Sequence, residues 1–163
     1  MSEFRLTGGC QCGAVRYALL EEPSGPHICH CRMCQKAFGS FFAPLTGVSL
    51  EKFELTRGEI AIFKSSDLVE RGFCRNCGTP LSFRFVDSDR IAVSIGSLDE
   101  PEKIEPQHQF GNEARLSWFD KLPGLAGAET TSETDDPSRT TAIAVSNHQH
   151  PDHDTAAWLP KGK

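Results

Sequence analysis

Apolar side chains along this chain gather in short runs bounded by Gly, Pro or Asp, and few of them follow a helical period. Runs rich in β-branched and aromatic residues predict strands at 14–20, 40–44, 60–63, 69–73, 81–85, 91–95 and 116–119. In Leu81-Ser82-Phe83-Arg84-Phe85 every second side chain is apolar, the alternation of a strand with one face on a core. The best helical candidate is one or two turns at 33–38. No βαβ alternation is visible, so the pattern predicts a mainly β domain. The pattern changes after Pro123. The stretch 124–141 is mostly Gly, Ala, Thr, Ser, Asp and Glu, which reads as loop or linker, and is followed by an apolar segment at 142–145 and a polar one at 147–155. The expected organisation is a globular unit over 1–122 and a polar extension over 123–163.

Composition narrows the function classes. A chain of 163 residues suits one domain, and eleven Phe supply much of its core. A formal net charge of −5 argues against a general nucleic-acid binder, which needs surplus Lys and Arg to neutralise phosphates. No run approaches the ~18 apolar residues of a membrane span, so no membrane partner is expected. The first residues lack a basic stretch followed by an apolar one, so a cytoplasmic, reducing compartment is the expectation, where thiols serve metals or catalysis.

Seven cysteines then become the informative residues. They fall into three clusters: Cys10-Gln11-Cys12, Cys29-His30-Cys31-Arg32-Met33-Cys34, and Cys74-Arg75-Asn76-Cys77 followed by Gly78. C-x-x-C before Gly is the form of a zinc knuckle, where a tight turn offers two thiolates to one ion. C-x-C presents two thiolates from extended chain, because residues i and i+2 point to one side. Pairing Cys10 and Cys12 with Cys74 and Cys77 makes a closed four-thiolate site and leaves Cys29, Cys31 and Cys34 for a second Zn²⁺ with one open position. A single site on Cys29, Cys31, Cys74 and Cys77 also satisfies zinc geometry and leaves three cysteines over. Seven buried free thiols are the bland alternative, though these would not fall at ligand spacing three times.

The motifs resemble the glutathione-dependent formaldehyde-activating enzyme family, which includes the centromere protein V group. The resemblance is carried by Gly8-Gly9-Cys10-Gln11-Cys12-Gly13 with Val15-Arg16-Tyr17, by Cys29-His30-Cys31-x-x-Cys34-Gln35-Lys36, and by Phe73-Cys74-x-x-Cys77-Gly78-Thr79-Pro80-Leu81. Gly96-Ser97-Leu98-Asp99, Pro106-x-His108 and Ser117-Trp118-Phe119 look like its later landmarks, so it covers roughly 5–122. It implies a mainly β, Mss4-like fold of small coiled antiparallel sheets organised around zinc. It also implies a structural zinc on Cys10, Cys12, Cys74 and Cys77, and a second zinc on Cys29, Cys31 and Cys34. The implied activity is that of a carbon–sulfur lyase interconverting S-hydroxymethylglutathione with glutathione and formaldehyde.

Three thiolates on Zn²⁺ leave net negative charge, so neighbouring cations matter. Arg32 and Lys36 could offset it or hold substrate carboxylates; the alternative is ordinary solvated charge. His30 either acts as acid or base near the metal or alternates with the ligands and faces away. His108 could line the site or be a hydrogen-bonded structural histidine. Phe38, Phe41 and Phe42 read as core or pocket wall. His148-Gln149-His150-Pro151-Asp152-His153 matches the H-x-H-x-D-H motif of metallo-β-lactamase-like hydrolases, but no further ligands follow at the required distance. A polar tail is the better reading. The second functional reading for the whole chain is a non-catalytic zinc module that completes a fold or binds a protein, and a third is thiol-based redox or zinc sensing.

Overall fold

Period-two patterning and cross-strand pairing join ten strands into two sheets in the computed structural model, which describes residues 4–129 and 136–161. Residues 1–3 of the N-terminal reading and 130–135 of the linker reading lie outside the described residues. Strands β1 (Leu6–Gly9), β2 (Arg16–Leu19) and β5 (Phe53–Arg57) form a small antiparallel sheet. The larger sheet contains β3 (Ser24–Cys29), β4 (Ala43–Ser49), β6 (Ala61–Ser66), β7 (Val69–Phe73), β8 (Pro80–Phe85), β9 (Arg90–Ser94) and β10 (His108–Phe110). Its order is β10-β3-β4-β9-β8-β7-β6, antiparallel except for the parallel edge pair β10–β3. Two helices are described, α1 (Arg32–Phe38) and α2 (Pro137–Ser146).

The expected strands at 14–20, 60–63, 69–73, 81–85 and 91–95 fall on β2, β6, β7, β8 and β9, and the short helix at 33–38 is α1. Three expectations move. The stretch 124–141, read as loop or linker, ends in the first turns of α2, which Asp136 caps by accepting from the Ser138 N–H and Pro137 opens. The strand expected at 40–44 begins only at Ala43, because Gly39 ends α1 in the left-handed region (φ 57°) and the next residues turn. Residues 116–119 form a turn leading into a 3-10 helix; Trp118 meets Phe41 and Phe119 meets His30, so their apolar character serves packing and no ladder.

The large sheet has two apolar faces with different duties. One packs Val48, Ile91 and Val93 against Leu6, Tyr17 and Leu19 of the small sheet, forming the main core. The other face carries Cys29, Ala43, Leu45, Ala92 and Phe83, with Cys34 and Phe38 of α1 laid over them. Register explains the second row: Cys29 opposes Ala43, Gly47 opposes Ala92, Ala92 opposes Phe83, and Phe83 opposes Arg71. The alternation in 81–85 is broken at its start. Gly72 pairs with Ser82 but Phe73 with Pro80, so Leu81 is an extra residue that turns into the main core while Phe83 joins the second face.

Two landmarks distant in sequence lock the sheets together. The buried Arg16 guanidinium donates to both carboxylate oxygens of Asp99, and the Tyr17 hydroxyl lies 2.7 Å from that of Ser97. Such a bidentate pair is strong because the buried cation would otherwise be uncompensated. Burial also pushes the Tyr17 hydroxyl above its ordinary pKa, which keeps it neutral.

Candidate metal centres and the cavity beside them

The loop after β1 and the turn between β7 and β8 bring four cysteines together. Gly13 (φ 73°) closes the first loop with its N–H on the Cys10 carbonyl, and Gly78 (φ 78°) closes the second with its N–H on the Cys74 carbonyl. Sulfur separations are 3.6 Å for Cys10–Cys12 and 3.8 Å for Cys12–Cys74, and all four Sγ atoms lie within 4.8 Å of one another. Four sulfurs at ~2.3 Å from a tetrahedral ion would stand ~3.8 Å apart, so the donor set fits a thiolate-bound metal. Cys10, Cys12 and Cys74 are buried and Cys77 is partly exposed; cavities of about 460 and 510 Å³ have Cys10, Cys12 or Cys77 in their linings.

The second group forms where β3 ends and α1 begins. Cys29 is the last residue of β3, Cys31 caps the N-terminus of α1, and Cys34 lies in its first turn. The Cys34 N–H donates to Cys31 Sγ at 3.4 Å. Gly111, just after β10, touches this turn: a Cβ there would meet the Cys31 backbone nitrogen at 2.5 Å, and φ is 68°, so only glycine fits. The three Sγ atoms again lie within 4.8 Å of one another. Among the described residues, these two groups are the clusters of three or more His, Cys, Asp or Glu with metal-ligand proximity; His148, His150, Asp152 and His153 form none.

Thiol acidities within each group diverge. Burial pushes Cys10 up, and it pushes Cys34 up to about 12. Burial also acts against ionisation of Cys77, but hydrogen bonds from Thr79 outweigh it and bring that thiol to about 6. Cys31 is likewise lowered despite burial, by the Cys34 N–H and the Arg71 guanidinium. A dication at either centre would favour the thiolate of every ligand.

Arg71, on β7, is the residue that inspection of the sequence missed. It is 6% exposed, and its Nη2 stands 3.5 Å from Cys34 Sγ. Its guanidinium lies over the Phe83 ring at 5.1 Å and its Nε donates to Ser65 Oγ, while Nη1 has no partner among the described residues. An arginine this buried needs negative charge beside it, and the three-cysteine group is the candidate. Arg32 and Lys36 line a cavity of about 530 Å³ with Arg71, Met33 and Phe63. A different cavity, of about 590 Å³, reaches Cys29 and Cys34 from the second face of the large sheet. His30 lies away from both. It is fully buried, edge-on to Phe42 and Phe119, with Nε2 2.9 Å from Gln109 Oε1. His108 sits in register with His27 on the exposed edge strand β10, 6.5 Å from the Phe110 ring centroid, outside both cavity linings.

The polar segment near the C-terminus is packed onto the four-cysteine group. The His150 N–H donates to the Gln11 carbonyl, Trp158 Nε1 donates to the Cys12 carbonyl, and Asp154 accepts from Arg16. The His150 ring stands 3.2 Å from an Arg57 nitrogen and 3.0 Å from Thr155 Oγ1. Burial first, then the Arg16 and Arg57 charges, lower its pKa below the ordinary 6.5, against the Pro151 carbonyl and Asp99. The released segment therefore binds a proton that the docked ring refuses, and docking weakens as pH falls below about 6.5 while changing little above it. Hydrogen exchange should show the protection factor of the His150 amide falling between pH 7 and 5.5, with that of Tyr17 constant. A protection factor for His150 independent of pH would remove this account.

Comparison with known proteins follows the same landmarks. The family described as "Glutathione-dependent formaldehyde-activating enzyme" matches residues 5–113. An uncharacterized lyase of Schizosaccharomyces pombe is 34% identical over 82 residues, 49% of this chain and 58% of that protein, so the match spans little more than half of the relative. A crystal structure of a Rhodobacter sphaeroides protein is similar with a TM-score of 0.52 at 22% identity, covering 63% of this chain and 98% of that one. That likeness concerns the fold, which is mainly β and Mss4-like, as expected. No helix among the described residues is long and apolar enough to cross a membrane.

Proposed function

We propose, for a chain that belongs to the glutathione-dependent formaldehyde-activating enzyme family, a zinc-dependent carbon–sulfur lyase acting on the adduct of a small thiol with an aldehyde. Cys10, Cys12, Cys74 and Cys77 would hold a structural Zn²⁺, and Cys29, Cys31 and Cys34 a second one. The observation that supports this reading is the difference in ligand number: four thiols can complete a tetrahedral set, whereas three leave one position open, and Cys29 and Cys34 of the three line a cavity of about 590 Å³. A zinc ion bound by the three would supply Lewis acidity and stabilise a thiolate at its open position. The chain's own residues supply the rest. Arg71 balances the excess negative charge of three thiolates and orients Cys34. Arg32 and Lys36, which line one cavity with Arg71, would hold the carboxylates of glutathione or a comparable anionic thiol. His108, outside the linings of both cavities, has no part in this reading. In the lyase direction the carbon–sulfur bond breaks, its electron pair leaves with sulfur, the hydroxyl loses its proton, and the thiol regains one. No oxidant is required.

The test is direct. Protein prepared with reductant and without chelator should contain two zinc ions per chain. It should accelerate S-hydroxymethylglutathione formation above the spontaneous rate, and Cys31→Ser should abolish the gain. Cobalt in the second site should change its visible spectrum when glutathione is added. Absence of both responses, in protein holding both metals, would favour the non-catalytic zinc module.

A further inference from the structure

The cavity that reaches Cys29 and Cys34 does not look like a site for formaldehyde. Its volume is about 590 Å³, within the ~300–1,000 Å³ typical of drug-sized ligands, whereas the carbon that formaldehyde contributes to an adduct carries only hydrogens and a hydroxyl. Its walls are apolar: Leu45, Phe83, Phe85, Ala92 and Phe110, arranged over β4, β8, β9 and β10. Phe83 and Phe85 meet edge-to-face at 5.1 Å, and Phe110 meets His27 in the same way at 4.9 Å. Phe85 is 51% exposed and Phe110 54%, so both rings offer apolar area at the cavity to a ligand. The polar groups at the rim include Arg84 and Arg90, and no Asp or Glu belongs to the lining.

We propose that this cavity is the aldehyde-side specificity pocket, and that the adduct it takes carries an aryl group. The inference rests on the lyase reading, because only then do the cysteines at its inner end face a reacting carbon. Phe85 and Phe110 are half-exposed, so an aryl substituent can meet their rings edge-to-face or offset-stacked. Continuity with Cys29 and Cys34 would place its attached carbon at the second centre. The thiol portion would extend to the separate cavity beside Arg71, Arg32 and Lys36. An arylaldehyde thus fits where formaldehyde would leave the pocket empty.

Inert thioethers read the pocket without requiring turnover. In calorimetric titrations of the metal-loaded protein, S-benzylglutathione should bind about tenfold or more tightly than S-methylglutathione, the scale expected for burying one aromatic ring. Phe110→Ala and Phe85→Ala alter half-exposed side chains, so folding and metal content should persist while the benzyl preference falls toward unity. Turnover gives the second readout, with the benzaldehyde adduct of glutathione preferred to the formaldehyde adduct. Equal affinities, no binding of either thioether, or a benzyl preference indifferent to both Phe variants would overturn the proposal. A benzyl preference that depends on both phenylalanines, without turnover of any adduct, would uphold the pocket and reject the lyase reading. Turnover of the formaldehyde adduct without a benzyl preference would do the reverse.

Discussion

Cys74→Ser should leave little folded, soluble protein, whereas Cys31→Ser should fold and lose only the second metal. The asymmetry comes from what each group connects. Cys74 is 1% exposed, and its group ties the loop after β1 in the small sheet to the β7–β8 turn of the large one. Structural zinc can contribute ~10 kcal/mol or more to folding, comparable to the whole ~5–15 kcal/mol stability of a domain. Removing one of four ligands also leaves three crowded thiolates with a weakened counter-ion. The Cys29–Cys34 group instead joins residues within one β3–α1 segment, so little chain is held by it. In Cys31→Ser the new hydroxyl can still accept from the Cys34 N–H, so the α1 cap, worth about 1 kcal/mol, survives in large part. For a chain of this size the cap alone corresponds to a melting shift of roughly 2–4 °C, to which loss of the second metal adds its own binding contribution. Thermal unfolding and metal analysis of the two purified variants check this. Equal destabilisation by both would refute the division into structural and reactive centres.

The three cysteine clusters were legible in the sequence because ligand spacing is local. Which clusters share an ion was not, since spacing alone also allowed Cys29, Cys31, Cys74 and Cys77, and it was the family resemblance that implied the two groups the sulfur positions form. The strands at 69–73, 81–85 and 91–95 were legible locally too, through β-branched and aromatic runs between turn residues. What was not legible depends on distance. Strand β3 contains Gly25 and Pro26, which read as breakers; its ladder shifts register between Ser24 and His27 to accommodate them. Arg71 looks like one of several strand arginines, and only the pairing of β7 with β8 sets it beside Phe83 and Cys34. The segment around His150 is polar, and its docking runs through hydrogen bonds to carbonyls of Gln11 and Cys12, for which composition carries no signal. The arginine of Val15-Arg16-Tyr17 and the aspartate of Gly96-Ser97-Leu98-Asp99 were visible as landmarks, but their mutual contact belongs to the tertiary fold.

Arg71→Met should weaken the second metal centre by about 10–100-fold in metal affinity or turnover, the usual cost of losing a partner behind a ligand. The substitution keeps an unbranched apolar stem against Phe83 and removes the charge. The three-thiolate group with a dication would then carry net negative charge in a region where Cys34 is 4% exposed and water cannot compensate. Ser65 would lose its Nε donor, but Ser65 is only partly buried and can turn to water, so the fold should persist. Arg71→Lys separates charge from geometry. It restores a cation but not the planar fork that reaches Cys34 Sγ through Nη2 while Nε holds Ser65. Metal competition against a chelator should show the second site weakened in Arg71→Met and partly recovered in Arg71→Lys, with the four-cysteine site unchanged in both. A general packing role for Arg71 would lower melting temperature and leave the second-site affinity alone. Unchanged affinity and unchanged turnover in Arg71→Met would rule out the assigned role, and the buried guanidinium would then need another anionic partner.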